Sequence, residues 1–215
     1  MSSLIIIQGP TASGKSSLAL SIAQELNAPI ISADSRQFYK ELNIGTAKPS
    51  NKELHAVKHY FINTHSIHEL SLTSAGFMKA ARKEIKSLMS QGNEQIIISG
   101  GSGMFIDALI DGLHPSPSDP KIREELQNTW REHGIHPLLK ELKSTDIETY
   151  ERIDINNPMR ILRSLEIIKV SGKTIKENRE VPKKALDLPY KRFSIAWNRE
   201  DPVSYTHLRA HETDR

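Results

Sequence analysis

The chain has 215 residues, with 29 lysines and arginines against 26 acids, a net charge of +3 and no cysteine. That length is long for one small domain and short for two full ones, so one core with a satellite is expected, without disulfides or cysteine-ligated zinc. The apolar run at the N-terminus, Leu4 to Ile7, is too short for a signal peptide or a membrane span, and a monomer in the cytoplasm, off the membrane, is the expectation.

Leu4 to Gln8 is a β-branched run that ends in a Gly-Pro turn, and Lys15 to Leu26 then sets Leu18, Ile22 and Leu26 at helical spacing. The pattern predicts strand, loop, helix. Pro29 to Ser32 and Gln95 to Ser99 read as further short strands, and Ser71 to Gln91 as a helix with Met78, Ala81, Ile85 and Leu88 on one stripe, closed by Gly92. Buried strands alternating with amphipathic helices predict an α/β core: a parallel sheet of the P-loop NTPase type with helices on both faces.

From His114 the texture changes. Pro115, Pro117 and Pro120 punctuate a linker, with Ser118 or Asp119 as a cap and Pro120 at a first helical position. Pro158 to Ser171 follows as a helix capped by Asn157 and ended by Gly172, with Ile161, Leu165 and Ile168 as its stripe. Phe193 to Trp197 reads as a strand returning to the sheet. The expected organisation is therefore a core at 1–113, a helical insertion at 114–192, a return to the core at 193–203 and a tail at 204–215. Between Lys169 and Arg192 stand eight lysines and arginines against three acids, which makes this stretch either an RNA-facing surface or an ordinary solvated one.

The strongest chemical signal is Gly9, Pro10, Thr11, Ala12, Ser13, Gly14, Lys15 and Ser16, a complete GxxxxGK[ST] pattern between a strand and a helix. Its backbone amides curl around phosphate oxygens, Lys15 neutralises their charge and Ser16 can ligate Mg²⁺, so the expected ligand is a di- or triphosphate. Such loops are common to nucleotide-binding, ATP-binding proteins, and the motif does not state the reaction. Asp34 follows the second strand, at the carboxyl edge where open α/β sheets bind ligands, and is either a turn-capping residue or a general base. Ser35, Arg36 and Gln37 are its polar neighbours. Ser99, Gly100, Gly101, Ser102 and Gly103 form another strand-to-helix turn whose amides can meet a polar ligand or merely turn the chain. The nine histidines are scattered without a metal-ligand spacing.

Taken in order, Gly-Pro-Thr-Ala-Ser-Gly-Lys-Ser, Ser-Ala-Asp-Ser-Arg-Gln-Phe-Tyr, Ile-Gly-Thr-Ala-Lys-Pro at Ile44 to Pro49, Ser-Gly-Gly-Ser-Gly-Met-Phe and Asn-Asn-Pro-Met-Arg-Ile-Leu-Arg-Ser-Leu-Glu resemble the tRNA dimethylallyltransferase family, over about Leu4 to Trp197. The hexapeptide discriminates, since generic P-loop kinases have no reason to carry it. The resemblance implies that the loop holds the diphosphate of dimethylallyl diphosphate, with Mg²⁺ held partly by Ser16, and that intact pyrophosphate leaves. Lys15 and Ser16 would then act on the leaving group, and Asp34 would take a proton from the exocyclic amine of the adenosine on the 3′ side of the tRNA anticodon. It further implies tRNA contacts at Asp34, Ser35, Arg36, Gln37, Ser102, Arg123, Met159, Arg160, Ile161, Leu162 and Arg163. Arg160 and Arg163, one turn apart, would grip adjacent phosphates of the anticodon stem.

Two departures qualify the resemblance. The family normally continues for about another hundred residues, including an arginine that contacts the diphosphate, and Ser204 to Arg215 has no recognised counterpart and no amphipathic period. The chain as written is therefore expected to be an incomplete form, weak or inactive by itself. The competing readings are a P-loop small-molecule kinase using ATP, an enzyme that prenylates free adenine nucleotides, and a non-catalytic tRNA-binding fragment.

Overall fold

In the computed structural model, residues 2–11, 13–69 and 72–195 are described, so Ala12, the first residue of the expected helix at Ser71 and everything after Ile195 lie outside the described residues. The described residues up to Gly112, together with those from Ala185 onward, form one compact unit, and Leu113–Lys184 form another.

The first unit is built on five parallel strands in the order β3-β2-β4-β1-β5: β1 Ser3–Gln8, β2 Ile30–Ser32, β3 His59–Tyr60, β4 Gln95–Gly100 and β5 Tyr190–Ser194. Register pairs Leu4 with Ile96 and Ile6 with Ile98, so alternate side chains of β1 and β4 point to the same face. That face packs against α3 (Ser74–Ser90) and α4 (Gly103–Asp111). Ile7, Ile30 and Ile97 point the other way, against Ala19 and Ala23 of α1 (Lys15–Glu25). Both faces are covered, which a parallel sheet of β-branched strands requires.

Two helices reach the sheet differently from their sequence pattern. In α1 the expected stripe faces away: Leu18 and Leu26 are exposed, and Lys15, Ala19 and Ala23 are buried. Lys15 has to turn inward to the loop, so the positions four and eight residues later must face inward too, and alanines there let the helix lie close to the strands. In α3 the helix starts at Ser74, with Thr73 as its cap, and Phe77, not Met78, begins the buried stripe that continues through Ala81, Ile85 and Leu88. Phe77 stacks against Phe38 and Phe105 at centroid distances of 5.6 and 5.2 Å, so aromatic packing selects that register. A short helix, α2 (Asn51–Ala56), begins with a Ser50–Glu53 capping box and leads into β3; neither element was evident in the sequence pattern.

The second unit holds α5 (Pro120–His133), α6 (His136–Thr145), α7 (Ile147–Arg152), α8 (Pro158–Ser171) and α9 (Ile175–Glu180). Asp119 and Asn157 cap α5 and α8 by accepting from the Lys121 and Arg160 N–H groups, and Gly172 ends α8 in the left-handed conformation, as their sequence predicts. Leu126, Leu138, Leu142, Ile161, Leu162 and Leu165 make its core. The chain leaves this unit after Lys184, earlier than Arg192. Leu186 and Leu188 already pack on the first unit's core, the Leu186 N–H donates to Ile110 O at 2.7 Å, and β5 begins at Tyr190.

Candidate functional site

The carboxyl ends of β1, β2 and β4 lie side by side, since Gln8 is in register with Gly100 and Ser32 with Ser99. Each end runs into a loop that carries one part of the expected site. After β1, Gly14 adopts φ 79°, the left-handed region, and caps α1 without a side chain. The first N–H groups of α1 have no partner within the helix, and an anion is the group that their partial positive charge suits. Ser13 Oγ is buried and, among the described residues, is the fully covered side-chain polar atom without a hydrogen-bond partner. An orphaned hydroxyl in a loop of this shape fits a phosphate oxygen.

Lys15 is buried, 7% exposed, and its Nζ donates to Pro10 O at 3.1 Å. Burial pulls its pKa below the ordinary lysine value, and the nearby Asp34 carboxylate partly offsets that pull. Asp34 is half-buried. Its Oδ1 accepts the Arg36 N–H at 3.0 Å, which fixes the carboxylate, and its Oδ2 lies on the side of Gly101, Gly9 and the Lys15 methylenes. Lys15 and Asp34 thus sense each other's charge, and no salt bridge joins them among the described residues.

Of the polar neighbours, Ser35 and Arg36 are exposed and Gln37 is buried. Gln37 Oε1 accepts from Ser32 Oγ at 2.8 Å, and Nε2 donates to Thr46 O and Ala47 O at 3.2 and 2.9 Å. Its amide is committed inside the protein, where it fastens the hexapeptide Ile44 to Pro49 to the end of β2. Lys48 secures the same segment by donating to Tyr39 O, Asn43 Oδ1 and Asn63 Oδ1. A cavity of about 200 Å³ opens beside it, bordered by Ser16, Ser32, Gln37, Lys48 and Ser99. Ser102 stands at the N-cap of α4, and its N–H donates to Ala33 O at 3.3 Å.

In the helical unit, the segment Met159–Arg163 divides by helix face. Met159 and Arg160 are exposed, whereas Ile161 and Leu162 are core residues, 0% and 5% exposed, so their side chains are not available to an RNA. Arg163 is occupied as well: it donates to Ser116 O, Ser116 Oγ and Pro117 O and forms a 2.6 Å ion pair with Glu166. Arg123 holds the same carboxylate at 3.0 Å, and Glu166 is 2% exposed. The expectation that Arg160 and Arg163 act as a matched pair on phosphates is therefore altered by burial of Glu166, which claims Arg163 and leaves Arg160 outward. A groove of about 940 Å³ brings Arg152, Arg160, Lys176 and Arg179 together from three helices, along with Glu180 and with Glu148, which pairs with Arg152 at 3.1 Å. No sequence spacing announces that gathering. The basic stretch Lys169 to Arg192 is partly spent internally, with Lys169 on Glu141 at 2.8 Å, Lys176 on Glu148 at 3.3 Å and Arg192 on Asp107 at 2.7 Å.

Among the described residues no three His, Cys, Asp or Glu side chains form a metal cage, and none of the helices is long and apolar enough to cross a membrane.

A GxxxxGK[ST] loop at the carboxyl edge of a doubly covered parallel sheet makes the first unit a P-loop-like α/β protein. Sequence comparison narrows that class: a family model described as IPP transferase matches residues 37–212, and the chain belongs to that family. The match runs into the segment from Ser204, for which the sequence alone offered no counterpart. A tRNA dimethylallyltransferase of Cytophaga hutchinsonii is 36% identical over 196 residues, 91% of this chain and 63% of that protein. One of Chlorobium phaeobacteroides is 43% identical over 175 residues, 81% of this chain and 54% of that protein. The chain thus spans between about half and two thirds of these relatives. Among solved structures, a tRNA delta(2)-isopentenylpyrophosphate transferase from Staphylococcus epidermidis covers 98% of this chain and 69% of its own, at 28% identity and a TM-score of 0.59. A eukaryotic dimethylallyltransferase acting on tRNA shares the fold at a TM-score of 0.78 and 24% identity, over 91% of this chain and 48% of its own.

Proposed function

We propose that this chain carries the reaction core of a tRNA-modifying prenyltransferase, which moves a dimethylallyl group from dimethylallyl diphosphate to the exocyclic amine of the adenosine on the 3′ side of the anticodon. The observation that supports it most directly is the meeting of Lys15, Asp34 and Gly101 at one point beyond the sheet, where a diphosphate on the loop would present its carbon end to a carboxylate. In the reaction the allylic carbon–oxygen bond breaks, a carbon–nitrogen bond forms and pyrophosphate departs with the bonding electrons. Lys15, the loop amides and Ser13 stabilise the charge that develops on the leaving oxygens. Asp34, fixed by the Arg36 N–H, receives the amine proton. Lys15, partly stripped of water, gives its charge at full strength to a ligand that also excludes water.

The exposed Ser16 hydroxyl beside Lys15 would be the protein's ligand to a magnesium ion that accompanies the diphosphate. Bound there, the ion supplies charge neutralisation of the leaving group. For the acceptor, Ser35, Arg36 and Ser102 border the site in the first unit, while Met159 and Arg160 present themselves in the second. Gln37, Ile161 and Leu162 support these surfaces from inside, and Arg123 and Arg163, both partly exposed, brace the second unit through Glu166. The protein is expected to work as a cytoplasmic monomer on free tRNA.

Titration of the chain with dimethylallyl diphosphate and with ATP, each with Mg²⁺, tests the reading: the isoprenoid ester should bind in preference. Transfer of labelled donor to tRNA tests the chemistry, and Asp34→Ala should lower it by roughly 10²- to 10⁴-fold while donor binding persists. ATP bound in the loop with no affinity for the isoprenoid makes the chain a kinase instead.

A further inference from the structure

The turn after β4 contains two consecutive glycines whose missing side chains have different consequences. A Cβ on Gly100 would stand 2.2 Å from Ala33 O and 2.4 Å from its carbonyl carbon, an approach that no rearrangement of a flexible side chain can relieve. Gly100 is required so that the end of β4 can lie against the chain leaving β2. At Gly101 a Cβ would meet Gly9 O at 3.5 Å and Asp34 Oδ2 and Lys15 Cε at 3.9 Å each, all ordinary van der Waals distances. The backbone at Gly101 is also outside the positive-φ region. Neither crowding nor conformation calls for glycine there.

What a methyl at position 101 would do is stand at the point where Gly9, Lys15 and Asp34 converge. The character of that space differs from that of the loop itself. The loop offers helix N–H groups, the orphaned Ser13 hydroxyl and the Lys15 ammonium, all suited to anionic oxygens. The space beside Gly101 is bounded by the Gly9 carbonyl oxygen, an Asp34 carboxylate oxygen and Lys15 Cε, the carbon that bears the ammonium. Two acceptor oxygens on one side and the lysine on the other suit a proton-donating or cation-like group that lies next to an anion. An allylic carbon losing its diphosphate and an amine losing its proton both fit that description.

We propose that Gly101 is a specificity-determining position, and that its absent side chain reserves the room in which the donor's carbon end meets the acceptor amine. The inference rests on the prenyl-transfer reading and adds to it the residue that separates an isoprenoid ester from bare pyrophosphate. A methyl group in that room excludes the five-carbon chain and leaves the phosphates on their loop.

The test compares the wild-type chain with Gly101→Ala, using inorganic pyrophosphate and dimethylallyl diphosphate as ligands with Mg²⁺ and thermal melting as the measure of folding. Gly101→Ala is expected to melt like wild type, to keep pyrophosphate affinity within about twofold and to bind the isoprenoid ester about tenfold or more weakly, the effect of one misplaced methyl group in a fitted pocket. Gly100→Ala, by contrast, should lower the melting temperature sharply. Equal isoprenoid affinity in wild type and Gly101→Ala overturns the inference, as does a parallel loss of both ligands, which would assign the room to phosphate. A melting loss in Gly101→Ala as large as that of Gly100→Ala overturns it too, since the glycine is then a packing requirement. A wild-type chain with no affinity for the isoprenoid ester removes the proposed function and this inference together, whereas the other failures leave the function standing.

Discussion

The two units treat buried charge in opposite ways. In the sheet unit, Lys15 is covered and partly stripped of water, and Asp34 stands near enough to be felt without closing an ion pair. Both groups remain available to a ligand, and the cost appears as a lysine whose charged form the fold disfavours. In the helical unit, Glu166 is covered and closed, because Arg123 and Arg163 both pair with it and the Asp119 N–H donates to it at 3.3 Å. Those arginines hold the linker and α5 to α8, and the outward-facing cation of the segment is Arg160. A charge kept open marks a place where chemistry is expected, and a charge closed by its neighbours marks a strut. Residue type alone does not distinguish them.

The largest effect that would break this contrast lies in the helical unit. Replacing Arg123 and Arg163 together by methionine strands the Glu166 carboxylate in the interior and should cost about 3–5 kcal/mol in denaturant unfolding. A change within the error of the measurement would show that the network is incidental. In the sheet unit the sign should reverse: Lys15→Met removes a charge that burial disfavours, so the melting temperature should rise while pyrophosphate affinity falls by roughly 10- to 100-fold, as expected for a lost hydrogen bond to a charged group. A loss of both stability and affinity would place Lys15 with the struts.

A smaller effect sharpens the comparison through pH. Burial raises the Asp146 pKa, but hydrogen bonds from the Ile175 and Thr149 N–H groups and the Thr149 hydroxyl, with Arg179 nearby, outweigh it and hold the carboxyl below the ordinary aspartate value. The folded state therefore binds its proton less readily than the unfolded chain. The resulting stability is present in full above the ordinary aspartate range and disappears as pH falls through the lowered folded value. Asp146→Ala should cost about 1–2 kcal/mol near neutrality, as for a lost helix cap, and its deficit should shrink in acid; a deficit independent of pH would mean that the carboxylate's charge is irrelevant. The smallest expected effect on folding is that of Arg160→Ala, within about 0.5 kcal/mol of wild type, yet it should reduce the salt slope of tRNA binding by about one. An unaltered slope would remove Arg160 from the proposed RNA surface.

How much of this was legible in the sequence depended on whether the relevant physics is local. The strand, loop and helix around Gly9 to Ser16 could be read because the motif and its flanks are consecutive in the chain. Asn157 and Gly172 could be read because a helix end is satisfied by residues next to it. The face of α1 could not, since the pattern of Leu18, Ile22 and Leu26 is amphipathic in itself and only the inward demand of Lys15 turns the helix to bury Ala19 and Ala23. Gln37 looked like a polar neighbour of Asp34 because its partners, Ser32 on one side and Thr46 and Ala47 on the other, come together only when the hexapeptide folds back on β2. Arg163 looked like the partner of Arg160 because a helical repeat places them alike, and the linker carbonyls that claim it are more than forty residues away.

By itself, then, the sequence determined the loop, the alternation of strands and helices and the capped ends of the helical segment, all of which follow from hydrogen bonds and periodicities that span a few residues. Only the tertiary structure decided which side chains face a ligand and which face each other. That decision rests on the desolvation of charged groups, and how far a group is desolvated depends on which distant segments cover it.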